Sequence, residues 1–280
     1  MMPFQHSFTH PKAIAHFYAK IAVRALYDEL ALYPKPGLVS FIDNGAHNDM
    51  DASLFHRSLF GLRHYFRAVG LGTLSGYKPA QLVQLGIQAE QTMYQITQGV
   101  NTHKGAIFAL GILCASCCKL SSQKRSFSLQ ELHHLIMEDW AFYLQNHHSN
   151  PHTHGAWVKQ KYAVADAKQW AIEGYRHVFF LYEELAFMQA DKVLLGLWTY
   201  QRLLLVLDDI NILYRTGLTG LHFAREQIKK LPWGSSKEQL IEEAISIHLL
   251  FSKKNISPGG VADMISFMYF LRHLFHKDFS

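Results

Sequence analysis

The sequence predicts an all-α protein. Apolar residues recur at helical spacing in one segment after another, no segment sustains the alternation of a half-buried strand, and the βαβ rhythm of a parallel sheet is absent. The 280 residues are 49% hydrophobic and only 18% charged, which describes a chain able to bury a substantial core rather than a disordered one. With no linker, low-complexity tract or fixed-period repeat, residues 1–280 read as a single compact multi-helix domain with loops at the helix ends.

The first helix is expected over Lys12 to Leu32, where Ile14, Phe17, Tyr18, Ile21, Ala25 and Leu26 follow helical periodicity. Tyr33-Pro34-Lys35-Pro36-Gly37 ends it, because two prolines exclude helix and Gly37 permits a turn. An irregular stretch over Leu38 to Asn48 leads to a helix through Leu54, Phe55, Leu59, Leu62 and Phe66, and Gly70 to Lys78 reads as a glycine-rich turn. Helices follow over Pro79 to Thr97 and from Gly105 to about Leu120, with Ser121 to Ser128 a polar loop. Further helices are expected over Leu129 to Gln145, Ala156 to Gly174, Val178 to Met188, Asp191 to Asp208, Leu218 to Lys230, Ser236 to Phe251 and Val261 to His276.

Several loops carry residues suited to chemistry. In QGVNTHKGAIFALG, Gln98 to Gly111, a polar run of Asn101, Thr102, His103 and Lys104 meets a small-residue apolar segment. Gly99 and Gly105 allow close backbone approach, Lys104 brings charge, and free amides at a helix start favour an anion. The spacing is not that of a Walker loop, so phosphate contact and an ordinary capped helix both fit. His47, Asp49 and Asp51 stand where carboxylates at a helix N-terminus suit either capping, by Asp49 or Asn48, or Mg²⁺ with a phosphate. Glu90 faces the Lys104 motif from the preceding helix and reads most simply as a solvated carboxylate. Asp208-Asp209-Ile210-Asn211 places two carboxylates at the end of an apolar helix, where cations are preferred, and a bound metal would relieve the conflict. Pro258-Gly259-Gly260 followed by Asp263 repeats the pattern of a glycine loop opening onto an apolar helix.

The net charge of +5 and a pI near 9.0 suit a polyanion, and scattered cations favour a nucleotide or coenzyme over nucleic acid. Cys114, Cys117 and Cys118 are in the register of an apolar helix and read as buried thiols of a reducing compartment. The four His between Asn146 and Gly155 invite a zinc site, but without cysteines or a spaced carboxylate they read as surface imidazoles. The N-terminus lacks the apolar core of a signal peptide and no apolar run approaches the ~20 residues of a membrane span, so a cytoplasmic protein is expected, without nucleic-acid or membrane partners and with oligomeric state open.

Taken together, the motifs resemble the triphosphoribosyl-dephospho-CoA synthase family, which serves citrate lyase and malonate decarboxylase. The resemblance runs almost end to end, through PKPGLV at Pro34 to Val39, NGAHNDMD at Asn44 to Asp51, GVNTHKGAIFALG at Gly99 to Gly111, THG at Thr153 to Gly155, DDIN at Asp208 to Asn211 and SPGG-x-AD at Ser257 to Asp263. SLFGLRHYF at Ser58 to Phe66 and LGIQAEQTM at Leu85 to Met93 are more similar to the malonate decarboxylase branch. That branch usually has D-T-N and R-G-G where this chain has Asp209-Ile210-Asn211 and Arg215-Thr216-Gly217, which puts local loop geometry in doubt.

The resemblance implies that ATP loses adenine while its triphosphoribosyl group passes to the 2′-hydroxyl of 3′-dephospho-CoA, giving the precursor of an acyl-carrier-protein prosthetic group. On that basis Lys35 and Lys104, with the amides at Gly37, Gly105, Gly259 and Gly260, are expected to hold triphosphate. Asn44, Asn101, Thr102, Asn211, Arg215 and Ser257 are expected to position substrate, and Asp49, Asp51 and Asp209 to hold Mg²⁺. His47 or His103 is expected to move the proton, with Glu90 in reserve. The competing expectations are a Mg²⁺-dependent ADP-ribosyl or nucleoside hydrolase and a non-catalytic helical nucleotide-binding adaptor.

Overall fold

The computed structural model describes residues 3–147, 153–186, 188 and 191–276. Among them the chain is all-α apart from one two-stranded antiparallel ribbon, as the periodicity predicts. The helices are α1 (Pro11–Ala31), α2 (Ala52–Leu74), α3 (Pro79–Ile96), α4 (Lys104–Gln123), α5 (Leu129–Ile136), α6 (Phe142–Asn146), α7 (His154–Tyr162), α8 (Ala167–Ile172), α9 (Arg176–Leu185), α10 (Lys192–Val206), α11 (Ile210–Ile228), α12 (Lys237–Lys253) and α13 (Gly259–Phe275). A π-helical turn, Met137–Ala141, joins α5 to α6.

α4 is the central post. Thirteen of its residues from Ala106 to Leu120, all but Phe108 and Lys119, are buried, and α1, α2, α3 and α13 pack around it. A helix apolar on every side has no face to give to water, so it is buried on all of them. By length and composition α4 is in fact able to cross a membrane, contrary to the expectation that no apolar run approaches that length, yet 78% of its apolar window is covered by the rest of the chain. Cys114, Cys117 and Cys118 are free thiols in this core, and burial pushes all three up. Full burial of a leucine such as Leu110 contributes about 1.5–3 kcal/mol, and Leu110→Ala would cost about 2–5 kcal/mol once the cavity is included.

α1 begins at Pro11, with the His10 ring accepting the Lys12 amide at 3.2 Å, and presents Ala15, Ala19, Ala22 and Ala25 inward so that its neighbours approach closely. That approach explains one departure from expectation. Gly70 and Gly72 lie inside α2 instead of in a turn, because a Cβ at Gly70 would stand 2.9 Å from Cys118 Sγ and 3.0 Å from Ala15 Cβ. The turn is at residues 75–78, where Gly76 takes φ 85°. α4 also runs past Ser121, whose hydroxyl is paired with the Tyr18 hydroxyl at 2.6 Å in the core. The expected polar loop is therefore shorter, and within it β2 (Ser126–Phe127) pairs with β1 (Phe4–Gln5). The helix expected over Ala156 to Gly174 is two helices, since Ala163 is left-handed and Asp166 caps a new start by accepting the Gln169 amide at 2.8 Å.

The largest departure concerns Asp208 and Asp209. α10 stops at Val206 and Asp209 is the N-cap of α11. The two carboxylates thus stand at a helix start, where the macrodipole favours negative charge, and the electrostatic conflict that seemed to call for a metal does not arise. Asp208 pairs with Arg225 at 2.9 Å.

Candidate active site

Three helix N-termini, those of α4, α11 and α13, are laced together by two carboxylates. Asp209 Oδ1 accepts the amides of Asn211 at 2.9 Å and Ile212 at 3.1 Å in its own helix, while Oδ2 accepts the Val261 amide of α13 at 3.0 Å. Asp263, the fifth residue of α13, accepts the Ala106 amide of α4. Space for this lacing comes from glycine. A Cβ at Gly105 would lie 1.9 Å from Asp263 Oδ2, one at Gly259 2.1 Å from Asn211 Nδ2, and one at Gly260 3.0 Å from Asp209 Oδ2. Burial pushes the Asp209 carboxyl up to about 6 despite its amide donors, including Gly260. Burial raises the Asp263 carboxyl well above its ordinary value, with Asp209 and Glu29 adding to the effect and the Ala106 amide opposing it.

The Pro34–Val39 loop packs beside these helix starts. Gly37 has φ 78°, and a Cβ there would meet the Ile256 carbonyl at 2.2 Å, so only glycine serves. Its amide donates to His248 Nδ1 at 3.2 Å, which leaves Nε2 to donate to Asp43 at 2.7 Å. Lys35, expected to face a ligand, is 1% exposed and its ammonium donates to Glu29 of α1 at 2.5 Å. Burial lowers Lys35 and raises Glu29, and the mutual attraction opposes both shifts.

The Asn44–Asp51 loop lies against the same wall, with the Ala46 amide bonded to the Gly37 carbonyl at 3.1 Å and Asn44 exposed. His47 Nε2 is 2.7 Å from Ser257 Oγ and 3.2 Å from Arg215 Nη1, and Nδ1 is 3.3 Å from Asp49. Arg215 also donates to the Ala46 carbonyl at 2.6 Å and to Asn255 Oδ1. Burial and the neighbouring guanidinium lower the His47 pKa, with Asp49 opposing them, so the ring is neutral at pH 7. The structure therefore brings together His47, Arg215 and Ser257, three expected residues from distant parts of the chain.

On α4, Asn101 Oδ1 caps the Lys104 amide at 3.1 Å, and Lys104 Nζ pairs with Glu90 at 2.9 Å on a half-exposed surface. Glu90 is thus engaged rather than merely solvated. Thr102 donates to Ser58 Oγ at 2.8 Å, and the Ser58 hydroxyl lies 2.8 Å from His103 Nδ1. With Nδ1 taken as acceptor, His103 Nε2 carries hydrogen, yet it is buried with no partner among the described residues. Burial, aided by Lys35, lowers its pKa to about 3 and keeps the ring uncharged.

The three carboxylates expected to hold Mg²⁺ are not brought together. Asp51, rather than Asp49 or Asn48, caps α2 by accepting the Leu54 amide at 2.7 Å; Asp209 is 2% exposed; and Asp49 is exposed beside His47. Among the described residues no three His, Cys, Asp or Glu side chains are grouped to hold a metal. These residues do not form a cage for the ion. Of the histidine-rich loop, His148 and His152 lie outside the described residues, and His154 stacks on Tyr214 at 3.8 Å. Sequence reasoning did not single out Asp263, Glu29, Ser58 or His248 as parts of the site. For Asp263 the signal was present, the one carboxylate of an otherwise largely apolar helix that follows a glycine loop.

A family model described as ATP:dephospho-CoA triphosphoribosyl transferase matches residues 15–279. A relative from Haemophilus ducreyi, named 2-(5''-triphosphoribosyl)-3'-dephosphocoenzyme-A synthase, is 31% identical over 95% of this chain and 92% of its own. Relatives from Vibrio cholerae, 34% identical over 96% of this chain and 90% of theirs, and from Acinetobacter calcoaceticus, 31% identical over 92% and 90%, carry the same name as a probable assignment. No solved structure matches. With its motif loops gathered at three helix starts and the family model covering nearly its whole length, the chain belongs to the ATP:dephospho-CoA triphosphoribosyl transferase family.

Proposed function

We propose that the protein transfers the 5-triphosphoribosyl group of ATP to the 2′-hydroxyl of 3′-dephospho-CoA and releases adenine. The observation that carries this reading is the convergence of the α4, α11 and α13 N-termini on one site that also holds the His47 imidazole and a buried carboxyl, Asp263, raised above its ordinary value. Helix starts and a nearby lysine suit a triphosphate. Glycosyl transfer needs a base for the attacking hydroxyl and an acid for the leaving base.

In this scheme the N-glycosidic bond of ATP breaks as the acceptor 2′-oxygen bonds to the ribosyl anomeric carbon. His47, neutral and adjacent to Ser257, takes the hydroxyl proton, and Asp263 gives its proton to the departing adenine. Lys104 and the Gly105 amide hold the triphosphate, while Asn101, Asn211 and Arg215 position the nucleotides. His103, uncharged, offers its Nε2 hydrogen to a substrate oxygen instead of acting as the acid. Lys35 acts through the field of its buried pair with Glu29. No step is routed through a metal; a Mg²⁺ brought by the triphosphate would find Asp49 as its accessible carboxylate.

The malonate decarboxylase carrier is the proposed destination of the product, on the strength of the segments at Ser58 to Phe66 and Leu85 to Met93. The reaction is tested by chromatography of adenine from ATP with and without dephospho-CoA. Release that requires the acceptor supports transfer, and equal release without it assigns a hydrolase.

A further inference from the structure

α7 and the first half of α11 hold an aromatic cluster that has no part in the reaction as assigned so far. The His154 and Tyr214 rings are stacked, with centroids 3.8 Å apart and planes at 16°. Trp157 stands across that stack, 5.8 Å from Tyr214 at 84°, and its other neighbour is Tyr162 at 6.4 Å. The Lys161 ammonium lies 4.5 Å from the Trp157 centroid, which adds cation–π attraction and a positive charge. The cluster follows from local structure. Thr153 caps α7 by accepting the Ala156 amide at 3.1 Å, and 154, 157 and 161 then recur on one face of the helix. α11 is interrupted at Gly217, φ 69°, where a Cβ would stand 3.2 Å from the Tyr162 hydroxyl, so α7 lies directly against the break.

The rings are not what fastens α7 to the protein. Val158 is the buried residue of that helix and joins the core, whereas Trp157 is 44% exposed, Tyr214 43%, and His154 is exposed as well. Grouped rings with nearly half of their surface in water offer π faces to a ligand. Tyr214 is tied to the active site by its own helix. Tyr214 and Arg215 lie three and four residues beyond Asn211, so both stand over it on one face of α11, roughly 5–6 Å away between Cβ atoms. Asn211 Nδ2 occupies the space a Gly259 Cβ would take at the start of α13, and Arg215 reaches His47 at 3.2 Å and the Ala46 carbonyl at 2.6 Å. The aromatic cluster therefore borders the site on the His47 side.

We propose that His154, Trp157 and Tyr214 form a stacking platform for an adenine base of the nucleotide substrates. A planar purine extends such a stack without a matched hydrogen-bond pattern, because every base has a π face. The assignment rests on the reaction proposed above, since that reaction supplies the nucleotides. Both of them carry adenine, and position favours the acceptor's. Its attacking 2′-hydroxyl belongs to the ribose that bears adenine, and His47, which takes the hydroxyl proton, is bonded to the residue next to Tyr214.

The test is calorimetric titration of dephospho-CoA, of ATP and of ribose 5-triphosphate, which is ATP without its base, into the wild-type protein, Tyr214→Leu and Tyr214→Phe. Leucine is a good helix former at this half-exposed position, and thermal denaturation verifies the fold. Tyr214→Leu should bind dephospho-CoA at least about fivefold more weakly than wild type, with ribose 5-triphosphate unchanged, and Tyr214→Phe should stay close to wild type because it keeps the ring. The same loss on ATP instead would support the platform and name the donor's base as its occupant. An equal loss of ribose 5-triphosphate would overturn the proposal by showing that the anion site was disturbed, and a Phe variant as weak as the Leu variant would overturn it by assigning the effect to the hydroxyl. Unchanged affinity for both nucleotides would overturn it too, including the case in which Tyr214→Leu alters only the elution volume and the rings belong to a contact with a second copy of the chain. Because binding is read without turnover, a wild type that fails to transfer sinks the functional reading and leaves the stacking result separately measured.

Discussion

Asp209 accepts the Val261 amide at 3.0 Å with one carboxylate oxygen while the other caps its own helix, so a single side chain fixes two helix starts. Removing it leaves buried donors at both ends. Asp209→Ala should therefore lower stability by about 1–4 kcal/mol, the sum of two lost caps, as measured by urea denaturation. The pH dependence has a definite sign. The folded carboxyl is raised to about 6 from 3.8, so its contribution is complete below about pH 4 and is lost as pH rises through 6. The difference between wild type and Asp209→Ala should be larger at pH 5 than at pH 7.5.

Lys35 and Glu29 form a buried pair whose two charges depend on each other. Either Lys35→Met or Glu29→Gln alone leaves an unmatched group and should cost about 3–5 kcal/mol, whereas Lys35→Met with Glu29→Leu should recover most of that loss. The double variant should fold but turn over at least about tenfold more slowly, because His103 and Asp263 lose the field of the pair. Thermal denaturation and steady-state rates separate the two effects.

Lys104 is half-exposed and its pair with Glu90 is worth at most about 1 kcal/mol, so Lys104→Ala should leave stability nearly unchanged. Its effect should appear in KM for ATP, raised about tenfold or more, with Glu90→Gln changing kcat/KM only a few-fold. An unchanged KM would remove Lys104 from the triphosphate site.

His47 works as a base only when neutral, and burial with Arg215 lowers its pKa below the ordinary 6.5. The acidic limb of kcat/KM should accordingly fall below pH 6.5. His47→Asn, which can keep the bond to Ser257, should lose about 10²–10⁴ in rate and also that limb. A variant that retained the limb would assign it to another group.

Much of this architecture was legible in the sequence, because apolar periodicity and proline or glycine breaks act locally. What was not legible depends on contacts between distant segments. Gly70 reads as a turn residue until Ala15 and Cys118 are placed against it. Asp209 reads as the end of one helix unless Ile210 is recognised as the start of the next, which reverses the sign of the dipole argument. Lys35 reads as a ligand-facing cation because nothing in the PKPG motif reveals that its side chain turns inward to Glu29. Asp263 gained meaning only when its carboxyl was found against Gly105, a residue of another motif.

The central claim, that one site takes the proton from an acceptor hydroxyl and gives another to departing adenine, is tested most directly by mass spectrometry of a single reaction with ATP, Mg²⁺ and dephospho-CoA, run with wild type and Asp263→Asn. The wild type should form adenine and triphosphoribosyl-dephospho-CoA in equal amounts, and Asp263→Asn should slow both by about 10²-fold or more. Adenine formed with ribose triphosphate and no adduct, or a fully active Asp263→Asn, would contradict it.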